Sequence, residues 1–272
     1  MNAAWDRAFD SCTHDAAGRR VRTTLRFGIQ AFTTPPWAQD VGHDFNSSKL
    51  TQLMSKGEVP FMVFDLPAGT ACPTDLPRHT WATERHTRQS SLTEEDPVET
   101  WSSHRKKQLR RAEREGFFCS ECKDLDLLVE LHQAARTRKG LNSDGQALHD
   151  LLAELLKEED THAWVVRGPQ GDPLAGGVFH GSGDGRCVYG FGGQFRKSDG
   201  RSTSRASVML IAQAMRHAAR TGKSTFDFGG SRDPGVDRFY AEFGAGKVIK
   251  WKLIRTAWWL RPALRWVRPD LF

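Results

Sequence analysis

From residue 96 onward the apolar positions change period several times, and each change marks an element. Asp96-Pro97 opens a stretch in which Trp101, Leu109 and Ala112 fall near one face and cations take the others, which predicts a helix ending at Gly116. Residues 117–122 predict a strand. Leu127, Leu128, Leu131, Ala134 and Ala135 recur at helical spacing and predict a helix over 125–139; Leu148, Leu151, Leu152, Leu155 and Leu156 predict another over 146–157. Three strands follow, 163–167, 173–180 and 186–192. The turns Gly168-Pro169-Gln170-Gly171-Asp172 and Gly181-Ser182-Gly183-Asp184-Gly185 make them two successive hairpins. A polar loop over 193–202 then leads into a long helix, 203–220.

The densest segment is 226–246, FDFGGSRDPGVDRFYAEFGAG. Thr225, Phe226 and Phe228 are strand formers, and Gly229-Gly230 ends the strand. Ser231-Arg232-Asp233-Pro234-Gly235 presents a hydroxyl, a guanidinium and a carboxylate on a loop. Residues 236–243 then predict one or two helical turns stopped by Gly244, before a last strand. In the N-terminal part, 26–33 and 59–66 read as strands and 78–86 as a weakly alternating one. Pro35-Pro36-Trp37 and 67–80 read as loops. Strands flanked by helices indicate an α+β or mixed α/β fold. The expected organisation is a reduced α/β module over 1–95, a main domain over 96–254, and a basic aromatic tail over 255–272.

Composition narrows the class. Of 272 residues, 38% are hydrophobic and 26% charged, which supports a globular core. No apolar run approaches the ~20 residues that span a bilayer. The first twenty residues hold no apolar core of a secretory signal, so the expected compartment is cytoplasmic. Five cysteines stand at 12, 72, 119, 122 and 187, an odd count that argues for free thiols. Cys119 and Cys122 form a C-x-x-C, but no second pair stands at zinc-finger spacing, so they read as structural thiols and no metal site is expected.

The net charge of +6 is local: residues 105–114, RKKQLRRAER, carry six cations against one acid. That helix is a candidate grip for an RNA backbone or an anionic lipid, or simply a solvated face. The tail holds Trp251, Trp258, Trp259 and Trp266 among Lys252, Arg255, Arg261, Arg265 and Arg268. Such a mixture suits either a peripheral contact of 251–272 with the inner membrane face, or a C-terminal helix docked on the protein and kinked at Pro262.

The order of elements, with four stretches of sequence, resembles the GNAT acyltransferase superfamily and within it the Fem-like branch. That branch holds peptidoglycan-bridge aminoacyltransferases and acetyltransferases of envelope polysaccharides. The stretches are WSSHRKKQLRRAEREGF (101–117), LHQAARTRKG (131–140), the strand pair over 171–193 with its aromatic-Gly ending, and the strand over 226–228 with P-G-V-x-R-F-x-x-F-G after it. The resemblance covers about 95–250. Before that it is confined chiefly to TTPPW (33–37).

The resemblance implies a mixed central sheet flanked by helices and transfer of an acyl group to an amine. Three tasks follow: hold the donor's phosphates, present a neutral amine, and stabilise the oxyanion and leaving group. Lys197, Gly200, Arg201 and Ser202 stand where a phosphate loop enters a helix, with Lys for the usual Arg/Gln and Ser for the last Gly/Ala. Asp227 alternates with Phe226 and Phe228, so it faces away from them and is the candidate base; Asp233 and Glu242 are nearby carboxylates. Tyr189 and Tyr240, the two tyrosines of the chain, are candidate acids for the leaving group. Ser231, Arg232, Asp233 and Arg238 are candidate acceptor ligands. In Fem enzymes a Lys typically follows the signature Phe; here Tyr240 follows Phe239, which turns the expectation toward acyl-CoA as a co-substrate with no tightly bound cofactor.

The expected reaction is N-acyl transfer to a primary amine of an amino sugar or cell-envelope precursor. Two alternatives stay open, aminoacyl transfer from a charged tRNA and a non-catalytic binding module at the membrane surface. A serine hydrolase is not expected, since there is no G-x-S-x-G and no His near Ser231.

Overall fold

In the computed structural model the described residues are 12–15, 18–24, 28–33, 54–141, 143–195, 200–230 and 233–267. In chain order the elements are β1 (Cys12–Asp15), β2 (Gly18–Thr24), β3 (Gln30–Thr33), β4 (Phe61–Asp65), β5 (Thr80–Ser91), a 3-10 turn (Pro97–Thr100), α1 (Ser103–Arg114), β6 (Phe118–Glu121), α2 (Leu125–Thr137), α3 (Gly145–Leu155), β7 (Thr161–Arg167), β8 (Pro173–Gly181), β9 (Arg186–Gln194), α4 (Arg201–Arg220), β10 (Thr225–Asp227), α5 (Pro234–Ala241), β11 (Gly246–Thr256) and α6 (Arg261–Val267). The chain divides into two compact units, one over 88–247 and the other over 4–87 with 248–272. The divisions fall inside β5 and β11.

In the first unit the strands lie in the order β5-β10-β9-β8-β7-β6. Strands β6 to β9 are mutually antiparallel, β9 and β10 are parallel, and β10 runs antiparallel to the end of β5. This is a mixed sheet flanked by helices, as expected. On one face α4 packs over β7 and β8 with α1 beside it; on the other α2 packs on β9 and β8, and α3 packs on α2. The core of the first face joins Trp101, Leu109 and Ala112 to Phe179, Phe226, Phe228, Phe243 and the buried stripe of α4.

The predicted single helix over 96–116 is two elements. Asp96 caps the 3-10 turn through Val98 N–H at 3.2 Å, and its carboxylate holds Arg216 of α4. Trp101 is then extended (φ −75°, ψ 157°), which sends its indole into the core edge-on to Phe243, with ring centres 4.6 Å apart. Ser102 restarts the helix by accepting from Arg105 N–H at 3.3 Å. A continuous helix would keep Trp101 on the helix surface, so the break follows from burying the largest side chain.

The second unit orders its strands β1-β2-β3-β4-β11. The run expected as a strand over 59–66 is β4, every residue of it buried. It pairs with β11, which continues through Thr256. The partly buried ion pair of Lys252 with Asp65 (2.7 Å) joins these two strands. Pro262 does not kink the C-terminal helix; it sits in the first turn of α6, where its missing N–H has no helical partner to lose. Leu260 and Leu264 bury against Ala31, Phe61, Val63 and Ile254. The expected loop at Pro35-Pro36-Trp37 lies outside the described residues. No helix among the described residues is long and apolar enough to cross a membrane.

Candidate active site

The site forms where β9 parts from β10. Their parallel pairing covers three residues, Thr225, Phe226 and Asp227 against Arg186, Cys187 and Val188. β10 then ends, while β9 continues to Gln194. At the same level β9 carries a bulge: Val178 pairs with Phe191 and Phe179 with Tyr189, so Gly190 is an extra residue. On a regular strand Tyr189 and Phe191 would share a face. The bulge sends them to opposite faces, Tyr189 stacked on Phe179 at 4.8 Å and Phe191 edge-on to His132 of α2 at 5.8 Å.

Two glycine pairs across β8 and β9 shape the floor. Gly176 and Gly193 face α2, where a Cβ on Gly193 would overlap the Leu131 backbone and come within 2.6 Å of its carbonyl carbon. Gly177 and Gly192 face the other way, and a Cβ on either would fall within 2.7 Å of the Tyr189 ring. The bare glycine backbone therefore lets α2 close on one side and the Tyr189 phenol lie flat on the other.

Tyr240 reaches the same place from α5. Its ring lies 4.6 Å from Phe228 and 5.8 Å from Phe239. Burial raises its phenol well above the ordinary range, and the neighbouring Tyr189 raises it further. Burial pushes the Tyr189 phenol up to about 12. The two predicted acids thus converge, one from each side of the opening, and both are protonated at neutral pH. The segment carrying Tyr240 is held by Arg105 of α1, whose guanidinium lies 4.3 Å over the Phe239 ring and 2.8 Å from Glu242. Arg88 adds a two-pronged pair to Asp237 at 2.7 and 2.8 Å.

Asp227 does face away from Phe226 and Phe228, but it is 4% exposed and both oxygens are engaged. Oδ2 accepts from Gln89 Nε2 (2.8 Å) and Arg186 Nη1 (3.2 Å), and Oδ1 accepts from Gly229 N–H (2.8 Å). A carboxylate with three donors ties β5, β9 and β10 together, and both of its oxygens are taken. Asp233 caps α5, accepting from Gly235 and Val236 N–H at 2.8 and 3.3 Å, and pairs with Lys139 at 3.1 Å. Lys139, foremost among these partners, holds its carboxyl below the usual range. Arg238 is exposed on α5. Ser231, Arg232 and Lys197 lie outside the described residues.

The start of α4 is unlike the starts of the other long helices. Ser102, Asp124 and Asp144 cap α1, α2 and α3 with side-chain oxygens. Gly200 (φ 55°) begins α4 without one, and the first turn holds no acid. Arg201 is exposed there, and the Ser202 hydroxyl accepts from Arg205 at 3.3 Å. Among the described residues no side chain caps the first N–H groups of this 20-residue helix, a position suited to an anion.

Cys119 and Cys187 have thiols pushed up to about 12 by burial, and burial raises Cys122 as well, so these are structural thiols rather than nucleophiles. On α1 the charge is partly spent. Arg105, Lys106 and Arg111 pair with Glu242, Glu99 and Glu115, while Lys107, Arg110 and Arg114 line an open depression with Glu113.

Comparison with known families gives this arrangement its class. The acetyltransferase (GNAT) domain family matches residues 102–239. The chain belongs to that family, and it is an acyltransferase. Among solved structures it is similar to FemX, at 12% identity and TM-score 0.61 over 97% of this chain and 93% of that one. It is similar also to the C-terminal domain of a putative lysylphosphatidylglycerol synthetase from Agrobacterium fabrum, at 12% identity and TM-score 0.63 over 99% and 90%. A third, the structure of L-PGS from Bacillus licheniformis, has 12% identity and TM-score 0.51 over 82% and 76%. At these identities the likeness is one of fold. No curated protein sequence matches.

Proposed function

We propose that the protein transfers an acyl group from acyl-CoA to a primary amine on an amino sugar or another cell-envelope precursor. The observation that carries this reading is the placing of two phenols where β9 parts from β10, Tyr189 on β9 stacked on Phe179 and Tyr240 from α5 packed on Phe228. A thiolate leaving group needs a proton, and a phenol holds one at neutral pH. The bare N-terminus of α4 suits the donor's phosphates, with Gly200, Arg201 and Ser202 at its mouth and Lys197 just before them. Asp227 acts as a positioning residue that fixes the end of β10, and Arg238, with Ser231 and Arg232, is assigned to the acceptor.

Thermal unfolding with and without ligand tests the donor. A ligand at a hundred times its Kd stabilises the native state by about 2.7 kcal/mol. For a chain of this size that raises Tm by about 5–11 °C. Acetyl-CoA is expected to give such a shift and a 3′-aminoacyl-adenosine mimic of charged tRNA none; the reverse result overturns the reading. The second reading, an aminoacyl-tRNA donor, is favoured by the exposed row Lys107, Arg110 and Arg114, spaced to follow one face of α1. Neutralising three phosphates would give a slope of about −2 to −3 in log K against log salt. A flat salt dependence removes that reading.

A further inference from the structure

The outer surface at the C-terminal end of the second unit has no task in the reaction. Leu260 and Leu264 spend the inner side of α6 on the core. Three large apolar side chains remain on the outside: Trp258 is 71% exposed, Trp259 50% and Trp266 88%. Arg265 is exposed among them, and Arg261 lies 5.2 Å over the ring of Trp81. From Val248 to Val267 the sequence has five cations and no acid. We propose that Trp258, Trp259 and Trp266, with the cations around them, form a docking surface for an anionic lipid bilayer.

The chemistry selects this occupant. Tryptophan, with an apolar body and one N–H, is the side chain that partitions to the boundary between headgroups and acyl chains. The charged residues within 258–267, Arg261 and Arg265, are both cations, which complements an anionic leaflet. A second copy of the chain would bring cations against cations, whereas a bilayer supplies the missing anions. The surface is built for lying on a membrane, since α6 is seven residues long and cannot span one. The inference rests on the envelope-side reading above for its biological sense. Its assay contains neither donor nor acceptor, so the two stand or fall separately.

The experiment is co-sedimentation of the full chain with phosphatidylcholine vesicles, with and without phosphatidylglycerol. The native chain is expected to bind the mixed vesicles more strongly, with binding that weakens as salt rises. Replacing all three tryptophans by alanine is expected to lower partition by about ten-fold or more with the melting temperature unchanged, because the side chains are exposed. Arg265→Gln is expected to lower the preference for the anionic vesicles by about five-fold while leaving binding to neutral ones alone. Should the triple variant fold poorly, Trp266→Ala alone, the most exposed of the three, is expected to lower partition several-fold. Equal sedimentation of folded variants and native chain overturns the proposal. So does a concentration-dependent dimer, seen by light scattering without lipid, that the same substitutions dissociate.

Discussion

Replacing Tyr240 by phenylalanine removes one oxygen and leaves everything else that holds the residue. The ring keeps its packing on Phe228 and Phe239, and the Arg105–Glu242 pair that flanks the segment is untouched. One partly buried hydroxyl contributes about 1 kcal/mol at most, so Tm is expected to move by a few degrees or less. The chemistry loses far more. A positioned proton donor contributes about a hundred- to ten-thousand-fold, or about 3–5 kcal/mol of transition-state stabilisation. The assay is thiol release from acetyl-CoA with an amino-sugar acceptor, read as kcat and KM apart. The expected result is a fall in kcat with the KM for acetyl-CoA unchanged. Because burial and Tyr189 both raise the phenol, it does not ionise below about pH 10, and the native enzyme should show no alkaline fall from this group before then. A Tyr240→Phe enzyme within three-fold (roughly 0.7 kcal/mol) of the native kcat refutes the assignment. If Tyr189→Phe carries the loss instead, the acid is the β9 phenol.

Three further outcomes follow from the same geometry. Gly193→Ala drives a methyl into the Leu131 backbone, so α2 must move off the sheet; a cost of about 1–3 kcal/mol is expected, lowering Tm by roughly 2–12 °C, and a melt superimposable on the native one would contradict the packing described. His217 packs against His162 and Trp164, and burial, followed by His162 and Arg220, lowers its pKa despite Glu121. Its folded pKa lies below the unfolded one, so the unfolded chain binds the extra proton: stability is full above about pH 6.5 and declines as pH falls toward the folded value. His217→Leu should flatten that decline in urea titrations across pH 7 to 5, and an unaltered slope would assign it elsewhere. Asp227→Asn weakens the tie to Arg186, which keeps Asp184, and is expected to lower stability by about 1–3 kcal/mol in urea unfolding. A native unfolding curve with kcat down a hundred-fold would instead make Asp227 the base.

Much of the first unit was legible because its elements are periodic and punctuated. Leu148, Leu151, Leu152 and Leu155 announced α3, and all four are fully buried. The glycine turns around 168–171 and 181–185 announced the hairpins. The break at Trp101 was not legible, because a serine three residues before Arg105 resembles any helical serine until the indole has somewhere to go. Nor was the bulge at Gly190. Y-G-F-G-G reads as a regular alternation, and only the register against β8 shows Tyr189 and Phe191 parting. At the site, the alternation of Asp227 with its phenylalanines was right, but its partners Gln89 and Arg186 lie 138 and 41 residues away. The same distance in sequence hid the pairs of Arg105 with Glu242 and Lys139 with Asp233. The pattern of one segment names a chemistry, and the charge that satisfies it comes from segments that only folding brings near.

The bare start of α4 sets a limit on engineering this chain. A stability design would keep Gly200, whose φ of 55° strains any other residue, and place an acid in the first turn of α4, a gain of about 0.3–1 kcal/mol from the helix dipole. In the proposed reading those N–H groups are reserved for the donor, and a resident carboxylate would compete with it for them. The variant that melts highest would then be among the poorest binders of acyl-CoA, and thermostability screens run without donor would select for the loss of the reaction.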